Sequence, residues 1–196
     1  PFLLARWNFF RRYSRRARAV SKGHSPFAFT ALAQALQAES DAVAATSAAA
    51  ADGESAAALC LEACNRLLTF GRARSGTERT NRVLTAEEAA SLPALLTAVC
   101  LHLVPAPRGH RAAVAALNLI AELCEMQDPR IAALLPPLSE PLVRATQHLA
   151  NEASPPPGSP ERRPYDLDDD ALEELENALC YALDTTCRTW LLRLAP

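Results

Sequence analysis

The feature that most restricts the fold of this chain is its reliance on alanine and leucine. Of its 196 residues, 40 are alanine and 30 are leucine, whereas isoleucine and valine together number nine. Alanine and leucine favour helices, and sheets favour β-branched and aromatic side chains. The composition therefore predicts an all-α fold and argues against sheet-borne sites such as dinucleotide folds, α/β-hydrolases and TIM barrels. No apolar run reaches the roughly 18 residues of a membrane span.

Start and stop signals predict about seven or eight helices joined by short turns. The first is expected over 2–22, and Ser25 followed by Pro26 is typical of the next helix start. We expect consecutive helices to form antiparallel hairpins that stack as a solenoid or pack as an irregular bundle. The remaining helices are predicted over 54–70, 86–104, 109–126, 129–135, 139–152 and from about 168 onward.

Particular residues predict where these helices begin, end or bend. Gly71 is expected to end the 54–70 helix, and Thr85 opens a capping-box sequence. Pro93 predicts a kink or a break just before it. Asp128, followed by a proline, is expected to cap a short helix. The apolar stripe of the 109–126 helix is predicted to be Val114, Leu117, Ile120, Ala121 and Cys124.

Charge is distributed very unevenly along the chain. Residues 1–38 carry a net charge of +7 with no acidic side chain, whereas 39–160 carry −4 and 161–196 carry −5. A block of like charge is typical of an interaction arm, and a proline-rich stretch is typical of a linker. The predicted organisation is a basic aromatic arm over 1–24, a helical core over 25–152, a linker over 153–165 and a C-terminal docking helix over 166–196.

The C-terminal helix is expected to have one apolar and one acidic face. Its apolar face should pack around 138–149, and its acidic face should meet either the basic loop over 71–84 or a neighbouring basic subunit. The apolar face is predicted to comprise Leu172, Leu175, Leu179, Ala182, Leu183, Thr186, Trp190 and Leu194. The acidic face is predicted to comprise Glu173, Glu174, Glu176 and Asp184.

The basic arm carries the clearest functional signal in the sequence. Arginine binds phosphate bidentately, and aromatic side chains can stack on unpaired bases, so the arm is predicted to contact RNA. Packing on protein and binding to an anionic membrane surface remain alternatives. An arginine-rich, acid-free N-terminus is also typical of a mitochondrial transit peptide. The predicted RNA-binding residues are Arg6, Trp7, Arg11, Arg12, Tyr13, Arg15, Arg16, Arg18 and Lys22 in the arm, and Arg72, Arg74, Arg79 and Arg82 in the basic loop.

No pattern in the sequence indicates catalysis, so no catalytic, cofactor-binding or metal site and no small-molecule substrate is expected. Cys60 and Cys64 lie four residues apart but have no partner pair at zinc-like spacing. They are interpreted, with Cys100, Cys124, Cys180 and Cys187, as small buried hydrophobes. The four histidines are scattered. The aspartates at 166 and 168–170 lack the glycine and distal glutamate of an EF-hand and are interpreted as a solvated helix start.

Residues 92–149, with Asp128 and Pro129 at a helix start, resemble HEAT or armadillo-type helical repeats over about a third of the chain. Together with the arginine-rich arm, this resembles the helical-repeat proteins of organelles, including accessory subunits of divergent mitochondrial ribosomes. The resemblance implies a non-catalytic structural subunit in the mitochondrial matrix, with rRNA or other structured RNA and neighbouring proteins as partners. The alternative is a protein-binding adaptor, cytoplasmic or an accessory subunit of a membrane complex, without RNA contact.

Overall fold

A computed structural model describes residues 34–36, 38, 56–73, 84, 86–104, 110–126, 128–153 and 167–194. Within these ranges the chain is almost entirely helical and has no strand, which confirms the all-α prediction. The predicted helix over 2–22 and most of the linker lie outside them. The helices are α1 (Ala56–Ala73), α2 (Ala86–Cys100), α3 (Arg111–Glu125), α4 (Pro129–Leu134), α5 (Ser139–Ala153) and α6 (Asp169–Leu194), with a short 3-10 helix (Pro136–Leu138) between α4 and α5.

Helix α3 lies at the centre of the described core. All five residues of its predicted apolar stripe are buried. The most extensive contacts of α3 are with α6 and α1, and α2 and α4 also contact it. In a solenoid each repeat contacts mainly its sequence neighbours. A repeat can itself be a pair of helices, so the contacts of α3 with helices two and three places away in the chain do not establish which of the two arrangements is present.

Helices α3 and α6 run parallel to each other. Near the start of both, His110 Nε2 lies 2.9 Å from Glu174 Oε2. Near the end of α3, Cys124 Sγ lies 3.8 Å from Thr186 Oγ1, and Thr189 Oγ1 donates to the Cys124 carbonyl at 3.3 Å. Contacts that advance in the same direction along both helices require a parallel pair.

The face of α6 that packs in the core is built largely from small residues, which allow close approach of helix backbones. Ala171, Ala178, Ala182, Thr185 and Thr189 are all buried. The two threonine hydroxyls donate to carbonyls one turn earlier in α6, Thr185 to Tyr181 at 2.9 Å and Thr189 to Thr185 at 2.8 Å. Their burial therefore leaves no hydroxyl unsatisfied. The predicted packing of α6 around 138–149 is present as its contact with α5, but the contact with α3 is larger.

The predicted helix end at Gly71 is wrong, and of the kink or break predicted at Pro93 the break does not occur. Helix α1 continues through Gly71 to Ala73, and α2 continues through Pro93. A glycine inside a helix costs only about 1 kcal/mol, and a proline removes a single backbone hydrogen bond. In α2 this cost is offset because Leu92, Leu95 and Val99 on one face are fully buried.

The predicted cap at Asp128 is confirmed and is part of a larger polar cluster. Asp128 Oδ1 accepts from the backbone N–H of Arg130 at 3.0 Å, and the Arg130 guanidinium donates to both carboxylate oxygens, at 2.9 and 2.6 Å. The same guanidinium donates to the Leu84 carbonyl at 2.6 Å, which ties the segment before α2 to the start of α4. The hydrogen bond from Arg130 holds the pKa of Asp128 below its ordinary value.

Candidate interaction surfaces

The predicted RNA-binding residues fall largely outside the described ranges. These include every residue of the arm and Arg74, Arg79 and Arg82 of the basic loop. Arg72 is described only by its backbone, which belongs to the last turn of α1. Gly71, Arg72 and Ala73, which were predicted to open the basic loop, therefore belong to α1. Since no side chain of the predicted RNA site is placed, RNA contact by these residues stays a prediction.

A polar pocket of about 160 Å³ lies where α1, α3 and α6 meet. Two cross-helix pairs surround it: Arg111 Nη2 donates to Glu62 Oε1 at 3.0 Å, and His110 contacts Glu174. Ligand pockets typically enclose about 300–1,000 Å³ and are mostly apolar, so this pocket is small and polar by comparison. The pocket is lined by Glu62, Asn65, Arg111, Val114, Ala115, Asn118 and Glu174.

These two pairs connect α3 to both of its main neighbours. Arg111 links α3 to α1, and His110 links the start of α3 to the first turns of α6. The sequence predicted a basic partner for Glu174 in the 71–84 loop or in a neighbouring subunit, and it indicated no partner for His110. The two residues are 64 positions apart, and no local pattern indicates which distant helix a side chain will meet.

The cysteines divide into a buried group, an exposed group and Cys100, which is half-buried. Cys60, Cys64 and Cys124 are buried, as predicted, and burial raises the pKa of Cys64 to about 12. A buried thiol with a raised pKa is a poor nucleophile and a poor metal ligand. Cys180 and Cys187 are exposed, so their predicted burial is wrong. In the described ranges no three His, Cys, Asp or Glu side chains are grouped so as to hold a metal ion.

The acidic first turn of α6 is the solvated helix start that the sequence predicts. Asp168, Asp169 and Asp170 are all exposed. Asp168 also caps the helix, because its Oδ1 accepts from the backbone N–H of Ala171 at 2.8 Å. The negative charges lie at the positive end of the helix dipole, where they stabilise α6.

The side of α6 that faces solvent changes character along the helix. Its first half is acidic, since Glu173 and Glu176 are exposed there. Asp184, further along, forms an ion pair with Arg188. Its second half exposes apolar side chains, since Trp190 is 41% exposed and Leu191 is 66% exposed, and they lie next to the exposed Arg188 of that pair. We call this surface the outer face of α6; its exposed residues are Glu173, Glu176, Asn177, Cys180, Asp184, Cys187, Arg188, Trp190 and Leu191.

Trp190 was predicted on the inward face, and its partial exposure has a geometric cause. Successive helical residues are separated by about 100° around the axis. Trp190 directly follows the buried Thr189, just as Leu183 follows Ala182, so each lies at the border of the buried face. The sequence would have predicted the edge of the buried face correctly if that face had been centred on the alanines and threonines of α6 and not on its leucines.

Among the described helices none is long and apolar enough to cross a membrane. No protein-family model, curated protein or solved structure matches the chain. The resemblance to HEAT and armadillo-type repeats, and to subunits of organellar ribosomes, therefore stays a prediction from sequence.

Proposed function

We propose that this chain is a non-catalytic structural subunit of a large RNA-containing assembly, for which a mitochondrial ribosome in the organelle matrix is the best candidate. The arm over 1–24 contacts rRNA or other structured RNA, and the helical faces contact neighbouring proteins. The observation that carries the proposal is the separation of charge. Residues 1–38 hold a net +7 without one acidic side chain, whereas the exposed first half of α6 is acidic.

The chemistry of the arm matches that of an RNA ligand. Six arginines and one lysine supply cations that displace the counterions of a phosphate backbone. Trp7 and Tyr13, interleaved with these cations, supply flat surfaces for unpaired bases. An acidic helical surface repels phosphate, so α6 is suited to a protein neighbour and not to RNA.

The salt dependence of RNA binding tests this proposal. We expect replacement of Arg11, Arg12, Arg15 and Arg16 by alanine to weaken binding to a structured rRNA fragment. The log–log slope of affinity against salt should fall by roughly 0.7–0.9 for each phosphate that the variant no longer neutralises. The control Arg66→Ala/Arg144→Ala removes two exposed arginines of the folded body and should leave the slope unchanged. An unchanged slope in the arm variant would refute RNA contact by the arm.

A second function is favoured by the apolar part of the α6 surface. Tyr181, Trp190 and Leu191 are substantially exposed on one helix, and aromatic side chains are enriched in protein interfaces. Under this alternative the chain is a protein-binding adaptor or an accessory subunit of a membrane complex without RNA contact. Nuclease treatment of the purified native particle separates the two, because only an RNA-anchored subunit should be released.

A further inference from the structure

We infer that the outer face of α6 is the docking site for the basic arm of the same chain, residues 1–24. The inference goes beyond the proposed function: it concerns the chain free of RNA, because docking on α6 and contact with RNA would use the same residues of the arm. Its basis is the match between the exposed residues of α6 and the composition of the arm.

The outer face of α6 carries net negative charge in its first half. From Asp169 to Cys187 the helix has no Lys, Arg or His. Glu174 is engaged by His110, and Asp184 by Arg188. Glu173 and Glu176 are exposed at this end, with the aspartates of the first turn beside them. A cationic segment would lower the electrostatic energy of this surface.

The arm has the complementary pattern, in the opposite order along the chain. Its first half, 2–10, contains six aromatic or leucine residues and one arginine, and its second half, 11–22, contains five arginines and one lysine. In α6 the acidic half comes first, and the half that exposes Trp190 and Leu191, with Arg188 paired to Asp184, comes last. The apolar half of the arm can contact Trp190 and Leu191 while its basic half contacts the acidic half of α6 only if the arm and the helix lie antiparallel.

The arm is also tethered close enough to reach this face. Leu36 is fully buried in the same hydrophobic cluster as Leu175 and Leu179 of α6. Residues 34–36 are helical, so the tether runs from position 24 to position 34, and its ten residue steps span up to about 35 Å when extended. A compact domain of this size has a radius of gyration of about 15–16 Å, so its whole surface lies within reach. Such a short tether also gives the arm a high effective concentration at α6.

Two exposed cysteines on the outer face allow a direct test with the full-length chain. The rate of N-ethylmaleimide modification of Cys180 and Cys187 is measured by peptide mass spectrometry at low salt. If the arm covers the face, the arm variant Arg15→Glu/Arg18→Glu and the helix variant Glu173→Arg/Glu176→Arg should each react about fivefold faster than the parent chain, as expected when two exposed ion pairs are removed. Combining all four substitutions should restore protection.

The control Glu87→Arg/Glu140→Arg makes the same charge change on exposed residues of α2 and α5 and should react like the parent chain. The inference would be overturned if the two cysteines were modified at equal rates in the parent chain, the arm variant and the helix variant. It would also be overturned if the combined variant did not regain the slow modification of the parent chain. Protection that increases with protein concentration would also overturn it, because it would assign the covering to a second copy. The same measurement is repeated on the parent chain with the structured rRNA fragment added. If the combined variant regains protection but the added RNA does not speed modification of Cys180 and Cys187, docking stands and the proposed RNA contact of the arm fails.

Discussion

Replacing Leu117 by alanine tests whether α3 is the centre of the core. Leu117 is fully buried in the middle of α3, which packs against α1 on one hand and α6 on the other. Removal of about three buried carbons forfeits about 2 kcal/mol of transfer free energy, and the cavity adds about 24 cal/mol per Å³ of volume that does not collapse. We expect the free energy of unfolding to fall by about 2–5 kcal/mol in total.

The upper half of that range is favoured by the surroundings of Leu117. The cross-helix pairs at the start of α3, Arg111 with Glu62 and His110 with Glu174, hold α3 to α1 and α6 and oppose collapse into the cavity. With a urea m-value of about 2 kcal/mol/M, the midpoint should fall by about 2–2.5 M. Urea titration followed by circular dichroism at the helix band measures this shift.

The matched control is the same substitution at Leu101, which is 60% exposed just after α2. Its effect should stay within about 0.5 kcal/mol, as for most surface changes. A change below about 0.5 kcal/mol at Leu117, or equal changes at the two leucines, would refute the placement of α3 at the centre.

Three further predictions concern the acid cap, the last helix and the buried thiols. Asp128→Asn keeps the cap but loses the charge bound by Arg130, so it should destabilise the chain by about 1 kcal/mol at neutral pH. Because the folded pKa of Asp128 is lowered, its stabilisation is present above the unfolded pKa of about 3.9 and is lost as pH falls through the folded value. Urea titrations of both proteins should therefore converge in acid, and a gap independent of pH would contradict this. Truncation after Pro157 removes α6 and uncovers the face of α3 that packs on it. The helical circular dichroism signal should then fall by more than the contribution of α6 alone, and the product should aggregate. A soluble, monomeric product that loses only the signal of α6 would show that α6 does not share one core with the other helices. Maleimide should modify Cys64 only at urea concentrations that unfold the chain, and rapid reaction in native buffer would show that this thiol is not buried.

Local signals in the sequence were sufficient for much of the helical plan. The Asp128 cap, the stripe of α3 and the aspartates that open α6 are short-range features, and the structure contains all three. Each works through groups within one or two helical turns, so neighbouring residues determine it.

Long-range features could not be read in the same way. The parallel pairing of α3 with α6 and the bond from Arg130 to the Leu84 carbonyl join residues 46 to 65 positions apart. The helix does not break at Pro93 for a related reason: burial of the leucines around it, a tertiary effect, outweighs the local preference of proline to end a helix. The outer face of α6 was only partly predicted, because exposure depends on which helices cover the other side.

Ultraviolet cross-linking of the native, unfractionated particle, followed by mass spectrometry of nucleotide-bearing peptides, tests the central proposal most directly. Aromatic side chains stacked on bases cross-link efficiently, so the proposed contact predicts nucleotide adducts on peptides within 1–24, at Trp7 or Tyr13, and none on α6. Release of the chain from the particle after nuclease treatment should accompany them. A particle that keeps the chain after nuclease, with no adduct within 1–24, would contradict the proposal that this arm binds RNA.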